Sequence, residues 1–548
     1  MTAANAANAT HAAGAVPGEI VLTDLLRRRG RDAPDEPAVQ EVGGRELTWR
    51  GVLDESLRWA DAYRRIGVVA GEHVATMMPN SVDAYFAWLG VAWLRAIEVP
   101  INNMYRARML EYVVRNSGAR VVVVSARFLD RLAEVAPALD AVELVVVPDA
   151  EGSLPHLPFR LITADDFLAS AKADLSIDGP AYWDVAAMIY TSGTTGASKG
   201  VLVPWSEQFT FSVGLPEDFL LPGDAYYSVY PPFHVSGKNA LYNAAVYDSR
   251  LVLRDTFSPN EFWNDVRAYG CTTAGLVGPM AALLLLAPPS PSDRDHPLRG
   301  VALGPLPATL DAFKERFGLR VCTGYGMTEI GAPLTSGWEL PNHRTCGRLK
   351  TGWPRYEAKV VDEHDHEVPP GTVGELVVRS MDPWVIMRGY YGMPEATAAA
   401  WRNGWFHTGD GFMIDEDGWF YFVDRMKDAI RRRGENISSF EVEACVNEHP
   451  AVQESAAVGV PSELGEDEIK VAVVVKPGEM LDPAELVEFL VPRMPRFMIP
   501  RYVEIVDALP KTDATMRTRK VELREQGLTP STWDREAARA ADGSPLRS

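Results

Sequence analysis

Cysteine is scarce: Cys271, Cys322, Cys346 and Cys445 are the four in 548 residues, and no CxxC pair occurs. That excludes a disulfide-stapled framework, and with no histidines at ligand spacing it offers no zinc site. Positive charge is in deficit too. Lys and Arg number 54 against 74 Asp and Glu, a formal net charge of −20, so the chain is not built to blanket nucleic-acid phosphates. Any anionic ligand must meet cations gathered locally. Long apolar runs are missing, since Met280–Pro288 and the valines Val121–Val124 are far too short to cross a bilayer. The opening MTAANAANATHAAGAVPGE has neither a basic start nor a continuous apolar stretch, so it does not read as a secretory signal. The expectation is a soluble cytoplasmic protein.

What is present is ample material for a core, with 47% hydrophobic and 23% charged residues. A chain this long exceeds what one core supports, so a large body and at least one smaller one are expected. From Leu22 to about Asp174, helical patterns such as Ser81–Arg95 alternate with β-branched runs such as Arg120–Ser125 and Glu143–Pro148. The rhythm continues through Ala225–Val229, Arg250–Arg254 and Thr272–Val277. This is the pattern of α/β layers on a largely parallel sheet. Near Gly352 the texture changes to apolar–polar alternation in Glu357–Asp362, Gly374–Arg379 and Phe420–Val423, which predicts an antiparallel β subdomain. After Asp424 strand, helix and strand alternate again through Ala451–Val460, Ile469–Lys476 and Pro483–Met494. The expected division is a disordered lead-in over 1–17, a large N-terminal domain over 18–426 with its β subdomain at about 352–424, a small mobile α+β domain over 427–525, and a flexible tail over 526–548.

Chemistry concentrates in a few segments. Tyr190–Gly200 reads YTSGTTGASKG directly after the apolar Val185–Ile189. Glycines let backbone N–H groups approach a polyphosphate, the hydroxyls donate to its oxygens, and Lys199 supplies charge. It is not a Walker A loop, which needs Gly-Lys-Ser/Thr in sequence, whereas Lys199 lies between Ser198 and Gly200. The plainer reading is a Gly/Ser turn between strand and helix. Downstream come PPFHVSG at Pro231–Gly237, TGYGMTE at Thr323–Glu329, FHTGD at Phe406–Asp410, DRMKD at Asp424–Asp428 and RRRGENISSFEVE from Arg431. Glu329 is a hard oxygen ligand of the kind Mg²⁺ takes alongside substrate phosphates. DEHDHE at Asp362–Glu367 mimics a metal cluster, but the alternation flanking it predicts a hairpin turn and no metal.

The eleven-residue loop and the order of motifs after it resemble the adenylate-forming superfamily, which contains acyl-CoA synthetases, peptide-synthetase adenylation domains and firefly-type luciferases. The resemblance implies an AMP-forming acid–CoA ligase that uses ATP and Mg²⁺. By resemblance Thr191, Ser192, Gly193, Thr194, Thr195, Gly196 and Lys199 hold the phosphates, with Thr191 and Glu329 at the metal. Gly324, Tyr325, Gly326 and Thr328 surround the nucleotide, Tyr325 stacking on adenine. Asp410 and Arg425 take the ribose, and Lys427 is the hinge. Gly434 admits the pantetheine arm, and Arg431, Arg432 and Arg433 are candidates for CoA phosphates or for a solvated strand edge. His234 lines the acyl pocket, and Gly304, Pro305 and Leu306 form a looser match to the turn between adenine and acyl group. The pocket is expected to draw on His234–Leu241, Val277–Leu284, Gly304–Ala308 and Ile330–Pro333, small apolar positions that suit an aromatic or medium-chain acid. Lys238 either pairs with a second polar group on the substrate or is solvent-exposed.

The last motif departs from the family. LPKTDATMRTRKVELRE matches at Pro510, Lys511, Thr512, Arg519, Lys520 and Leu523, but Met516-Arg517 stands where the family has Gly-Lys, with one extra residue before it. Arg517 keeps the charge, yet a planar guanidinium does not reproduce an ammonium point charge. Two readings therefore stay beside the ligase: a diazotase, the superfamily branch that activates nitrite and converts an aromatic amine to a diazonium, and a non-catalytic nucleotide-binding regulator. The sequence leaves oligomeric state open.

Overall fold

A computed structural model of the chain describes residues 20–191, 198–425, 430–432, 435–437, 439–461, 467–494, 496–512 and 518–541. The chain divides into two compact units. One comprises the residues up to Ala358 together with Val378–Phe406, the other Lys359–Val377 together with the residues from His407 onward.

The first unit holds two large sheets. One runs in the order Arg320–Cys322, Gly300–Leu303, Thr273–Leu276, Ala225–Ser228, Arg250–Leu253, Pro37–Glu41, Glu46–Thr48, and every pairing but the last is parallel. The other runs Gly389–Tyr390, Lys199–Pro204, Val185–Thr191, Ile97–Pro100, His73–Met77, Val121–Val124, Leu144–Val147, Arg160–Thr163. Its last six strands are parallel and its first three pair antiparallel. Parallel strands covered on both faces need continuous apolar runs. The four valines Val121–Val124, each fully buried between two parallel neighbours, are the plainest case. Helices fill the connections. Val82–Trp93 begins where the Ser81 hydroxyl accepts from Ala84 N–H, and it carries Trp88, which stacks on Trp205 at 5.4 Å between ring centroids. Gly324–Met327, Gly331–Thr335 and Thr345–Leu349 form an antiparallel set in the same unit.

In the second unit Trp405–Ile414 pairs antiparallel with Phe420–Arg425. A four-stranded sheet runs Val452–Pro461, Asp467–Val475, Tyr502–Ile505, Trp533–Asp534, and Ser439–Asn447 and Pro483–Leu490 are helical. The α/β plan and the small α+β unit agree with the sequence expectation. The tail does not. A frayed segment was expected after Glu525, but Trp533–Asp534 adds a strand beside Tyr502–Ile505, and Arg535–Ala541 is helical. The cause is specific pairing, because Arg501 binds Asp534 at 3.1 Å and Glu536 at 3.3 Å while Trp533 packs on the sheet's core. Among the described residues no helix is long and apolar enough to cross a membrane.

Candidate nucleotide and acyl site

The glycine–hydroxyl loop closes a hairpin rather than leading into a helix. Val185–Thr191 pairs antiparallel with Lys199–Pro204, with Tyr190 opposite Gly200 and Thr191 opposite Lys199. The two ends of the loop are thus fixed side by side by the ladder, and Lys199 leaves it on a strand. Ser192, Gly193, Thr194, Thr195 and Gly196 lie outside the described residues. The loop's flanks are pinned by Tyr190 Oη donating to Asn116 Oδ1 at 2.6 Å and Tyr112 Oη donating to the Ser198 carbonyl at 3.0 Å.

TGYGMTE follows the edge of the parallel sheet and turns back on itself. Gly324–Met327 pairs with Gly331–Thr335 so closely that a Cβ on Gly324 would sit 2.6 Å from the Leu334 carbonyl oxygen, and one on Gly326 2.5 Å from that of Gly331. Both glycines are required by that approach, which leaves Tyr325 half-exposed between them and Thr328 and Glu329 buried. Glu329 Oε1 accepts from Tyr390 Oη at 3.2 Å, and its carbonyl accepts from Met387 N–H at 3.0 Å. Lys199 Nζ lies 4.6 Å from the centroid of the same Tyr390 ring. The phosphate-loop lysine and the buried carboxylate therefore meet across one tyrosine that the motif reading did not single out. A GY pair at an edge strand carries no sequence signal for this. The long-range pairing of Tyr390 with Val201 supplies it.

A second carboxyl was also missed. Glu207, on the short helix Trp205–Thr210, is fully buried, and neither of its oxygens completes a hydrogen bond among the described residues. The helix is fastened to the Glu329 segment by Thr210, whose hydroxyl accepts from Ala332 N–H at 3.1 Å. Burial, reinforced by the charge of Glu329, pushes Glu207 well above the usual carboxyl range, while the Gly331 N–H opposes that rise. That direction favours the neutral acid in the folded chain.

Of the residues expected near the acyl group, Gly304 and Pro305 follow the strand Gly300–Leu303. Pro305 is packed so near Gly278 that a Cβ there would lie 2.7 Å from the Pro305 carbonyl oxygen. His234 caps the helix Val235–Val246, its Nδ1 accepting from Ser236 N–H at 3.2 Å, and burial lowers its pKa to about 4. It is neutral at physiological pH. Lys238, expected to face substrate or solvent, does neither. It is buried, paired with Glu98, and lies 4.3 Å from the centroid of the Trp88 ring, while Glu98 also accepts from Thr76 Oγ1 at 2.7 Å. The helix is enclosed on the side that carries Lys238, so the ammonium finds its partner inside the core.

In the second unit Asp410 and Arg425 are direct cross-strand partners. Asp410 is buried within the strand Trp405–Ile414, directly after Gly409, which has φ +71. Glu375 holds this stretch of the strand, accepting from Gly409 N–H at 2.9 Å and bonding His407 Nδ1 at 2.8 Å. Arg432 is withdrawn from any phosphate, since it is buried and paired with Glu468 at 2.7 Å. The expectation that it meets CoA or lies on a solvated edge is corrected, because the arginine run enters the unit's interior at this position. Lys520 pairs with Glu443 at 2.8 Å and Lys511 with Glu454. Lys427, Gly434 and Arg517 lie outside the described residues. DEHDHE is a turn in which Asp362 Oδ1 accepts from the N–H groups of His364 and His366, each at 2.9 Å.

A lysine at the mouth of a glycine–hydroxyl hairpin, set against a buried glutamate, suits an enzyme that works on nucleotide phosphates. Residues 26–391 match the model of the AMP-binding enzyme family, and residues 441–515 match the AMP-binding enzyme C-terminal domain. The chain is 33% identical over 478 residues to a crotonobetaine/carnitine–CoA ligase of Salmonella paratyphi B, covering 85% of this chain and 91% of that protein. Among solved structures it resembles an anthranilate CoA ligase in complex with anthranoyl-AMP, at 25% identity and TM-score 0.82 over 95% of this chain and 98% of that one. It also resembles ATP-bound MatB from Rhodopseudomonas palustris, at 26% identity and TM-score 0.81 over 92% and 98%. The chain belongs to the AMP-binding enzyme family, within the adenylate-forming superfamily of acyl-CoA synthetases. Its class is that of the AMP-forming acid–CoA ligases, with ATP as co-substrate.

Proposed function

We propose that the chain joins a small aromatic or medium-chain carboxylic acid to coenzyme A in two steps at the expense of ATP. In the first, a carboxylate oxygen of the acid attacks the α-phosphorus, the bond to the bridging oxygen breaks, and pyrophosphate leaves. In the second, the CoA thiol attacks the acyl carbonyl of the adenylate, gives up its proton, and AMP leaves. The observation that supports this most directly is the meeting of Lys199 and Glu329 across Tyr390. One positive and one negative side chain share one tyrosine, which supports a role for the pair toward a polyphosphate and its counter-ion. Rate on such a site comes from positioning and from charge already in place, not from covalent help.

In this reading Glu329 and the hydroxyl of Thr191 would hold the metal, and as oxygen donors they suit Mg²⁺ and not a softer ion. When bound, the ion would offset charge on the phosphates. In this reading Lys199 and the loop from Thr191 to Gly196 orient the phosphates. Thr328 assists them, Tyr325 stacks on adenine, and Asp410 with Arg425 takes the ribose hydroxyls. His234, neutral and half-buried, packs on the acyl group and moves no proton. Arg517 stands in for the usual lysine on the acid and α-phosphate, Lys427 is the hinge, and Gly434 passes the thiol arm. Two of the relatives are named for their acids, a crotonobetaine/carnitine–CoA ligase and an anthranilate CoA ligase, and the acid proposed is of comparable size.

The test is mass spectrometry of the full chain with ATP, Mg²⁺, CoA and a panel of acids. Pyrophosphate, AMP and an acyl-CoA are expected, and ADP with phosphate would refute the reading. Lys199→Met should lower acid-dependent pyrophosphate release on the order of a hundredfold, the usual cost of removing one group aimed at the transition-state charge.

A further inference from the structure

We propose that Tyr390 is a positioning residue for adenylation, its ring seating Lys199 and its hydroxyl aiming Glu329, so that one side chain sets the spacing between the phosphate-loop cation and the metal-facing carboxylate. The geometry is unusually constrained. Gly389 and Tyr390 form an edge strand opposite Leu202 and Val201, and Tyr391 N–H donates to the Gly200 carbonyl at 2.8 Å, one residue beyond Lys199. From the other side Tyr390 N–H donates to Thr397 Oγ1 at 3.0 Å, and Gly389 before it has φ +144, a conformation that favours glycine. The backbone is thus gripped from two directions, and the ring is buried. From that fixed point the ring face lies 4.6 Å from Lys199 Nζ and the hydroxyl 3.2 Å from Glu329 Oε1.

The two contacts do different work. The hydroxyl donates to Glu329 Oε1 and so fixes how that carboxylate is turned. The ring face attracts the ammonium only weakly compared with a phosphate oxygen. Lys199 is therefore held near its working place and released when phosphates arrive. A tyrosine present for packing alone would require neither contact.

This inference rests on the adenylation reading, and its test is separable from it. ATP binding to the full chain is measured by calorimetry with and without MgCl₂ for the wild type, Tyr390→Phe and Tyr390→Leu. Phe keeps the ring and loses the hydroxyl. Its metal-free ATP affinity should stay within about twofold of wild type, while the gain in affinity on adding Mg²⁺ falls about tenfold, the usual loss for a hydrogen bond to a charged group. Leu loses both contacts, so its metal-free affinity should fall as well. Equal losses in Phe and Leu, or a Phe variant indistinguishable from wild type, would overturn the assignment. Should Leu fail to fold, Tyr390→Phe combined with Glu329→Gln decides. No loss beyond Glu329→Gln alone supports a role through Glu329, and additive losses refute it. A wild type that binds ATP yet releases no pyrophosphate with any acid would sink the ligase reading while leaving this comparison intact.

Discussion

Glu207 makes stability depend on pH in a direction that can be worked out. Buried, without a completed hydrogen bond, and close to the Glu329 charge, its carboxyl is neutral in the folded chain at a pH where the unfolded chain has ionised it. Between the unfolded and folded pKa values the native state holds one proton more than the unfolded state. Stability from this group is therefore complete below the unfolded value and declines as pH rises, by about 1.4 kcal/mol per pH unit. The loss accumulates for as long as the group stays protonated in the fold. Glu207→Gln has nearly the same shape and no proton to lose, so it should be more stable than wild type by a margin that grows with pH. Urea midpoints of both proteins at pH 6, 7 and 8 are the assay, and the difference between them cancels every other titrating group. A margin that stays flat, or shrinks, would show that Glu207 is ionised in the fold and that the environment described for it is wrong.

The buried pair of Lys238 and Glu98 gives a second expectation. Lys238→Met should destabilise by about 3 to 5 kcal/mol because it leaves Glu98 buried without its cation, whereas Lys238→Met with Glu98→Leu should recover most of that loss. Denaturant unfolding of the two variants checks it. His234, lowered to about 4 by burial, is uncharged from about pH 6 upward. The pH dependence of pyrophosphate release between pH 6 and 8 should thus keep its shape in His234→Phe, even where the rate itself changes. A new inflection or a lost one would refute the neutral assignment.

Much of the fold is legible in the sequence, because the signals are local and periodic. The valine run at Val121–Val124 could only be a strand covered on both faces, and Ser81 before an apolar stretch announces its helix. The tail was misread for the opposite reason. Trp533–Asp534 is two residues long, and what orders it is Arg501, far away in sequence. The site divides in the same way. Motifs place Lys199, Tyr325, Glu329 and Asp410 by type and order, but a motif does not say what stands beside it. Tyr390 reaches Glu329 across 61 positions, and Lys238 reaches Glu98 across 140. A lysine's destination is decided by the cavity it enters, and composition carries no trace of that. Glu207 was missed because an acid on a short helix ordinarily faces water.

The placement of the phosphate loop at the tip of a ladder has an evolutionary consequence. Side chains on a strand alternate between faces, so a one-residue insertion within Lys199–Pro204 would turn Lys199 away and slide Val201 off Tyr390 in a single event. Drift in this protein should thus spare the length of both strands, because Lys199 keeps its place only while the ladder stays in register. An engineer who wishes to retune the site meets the same boundary.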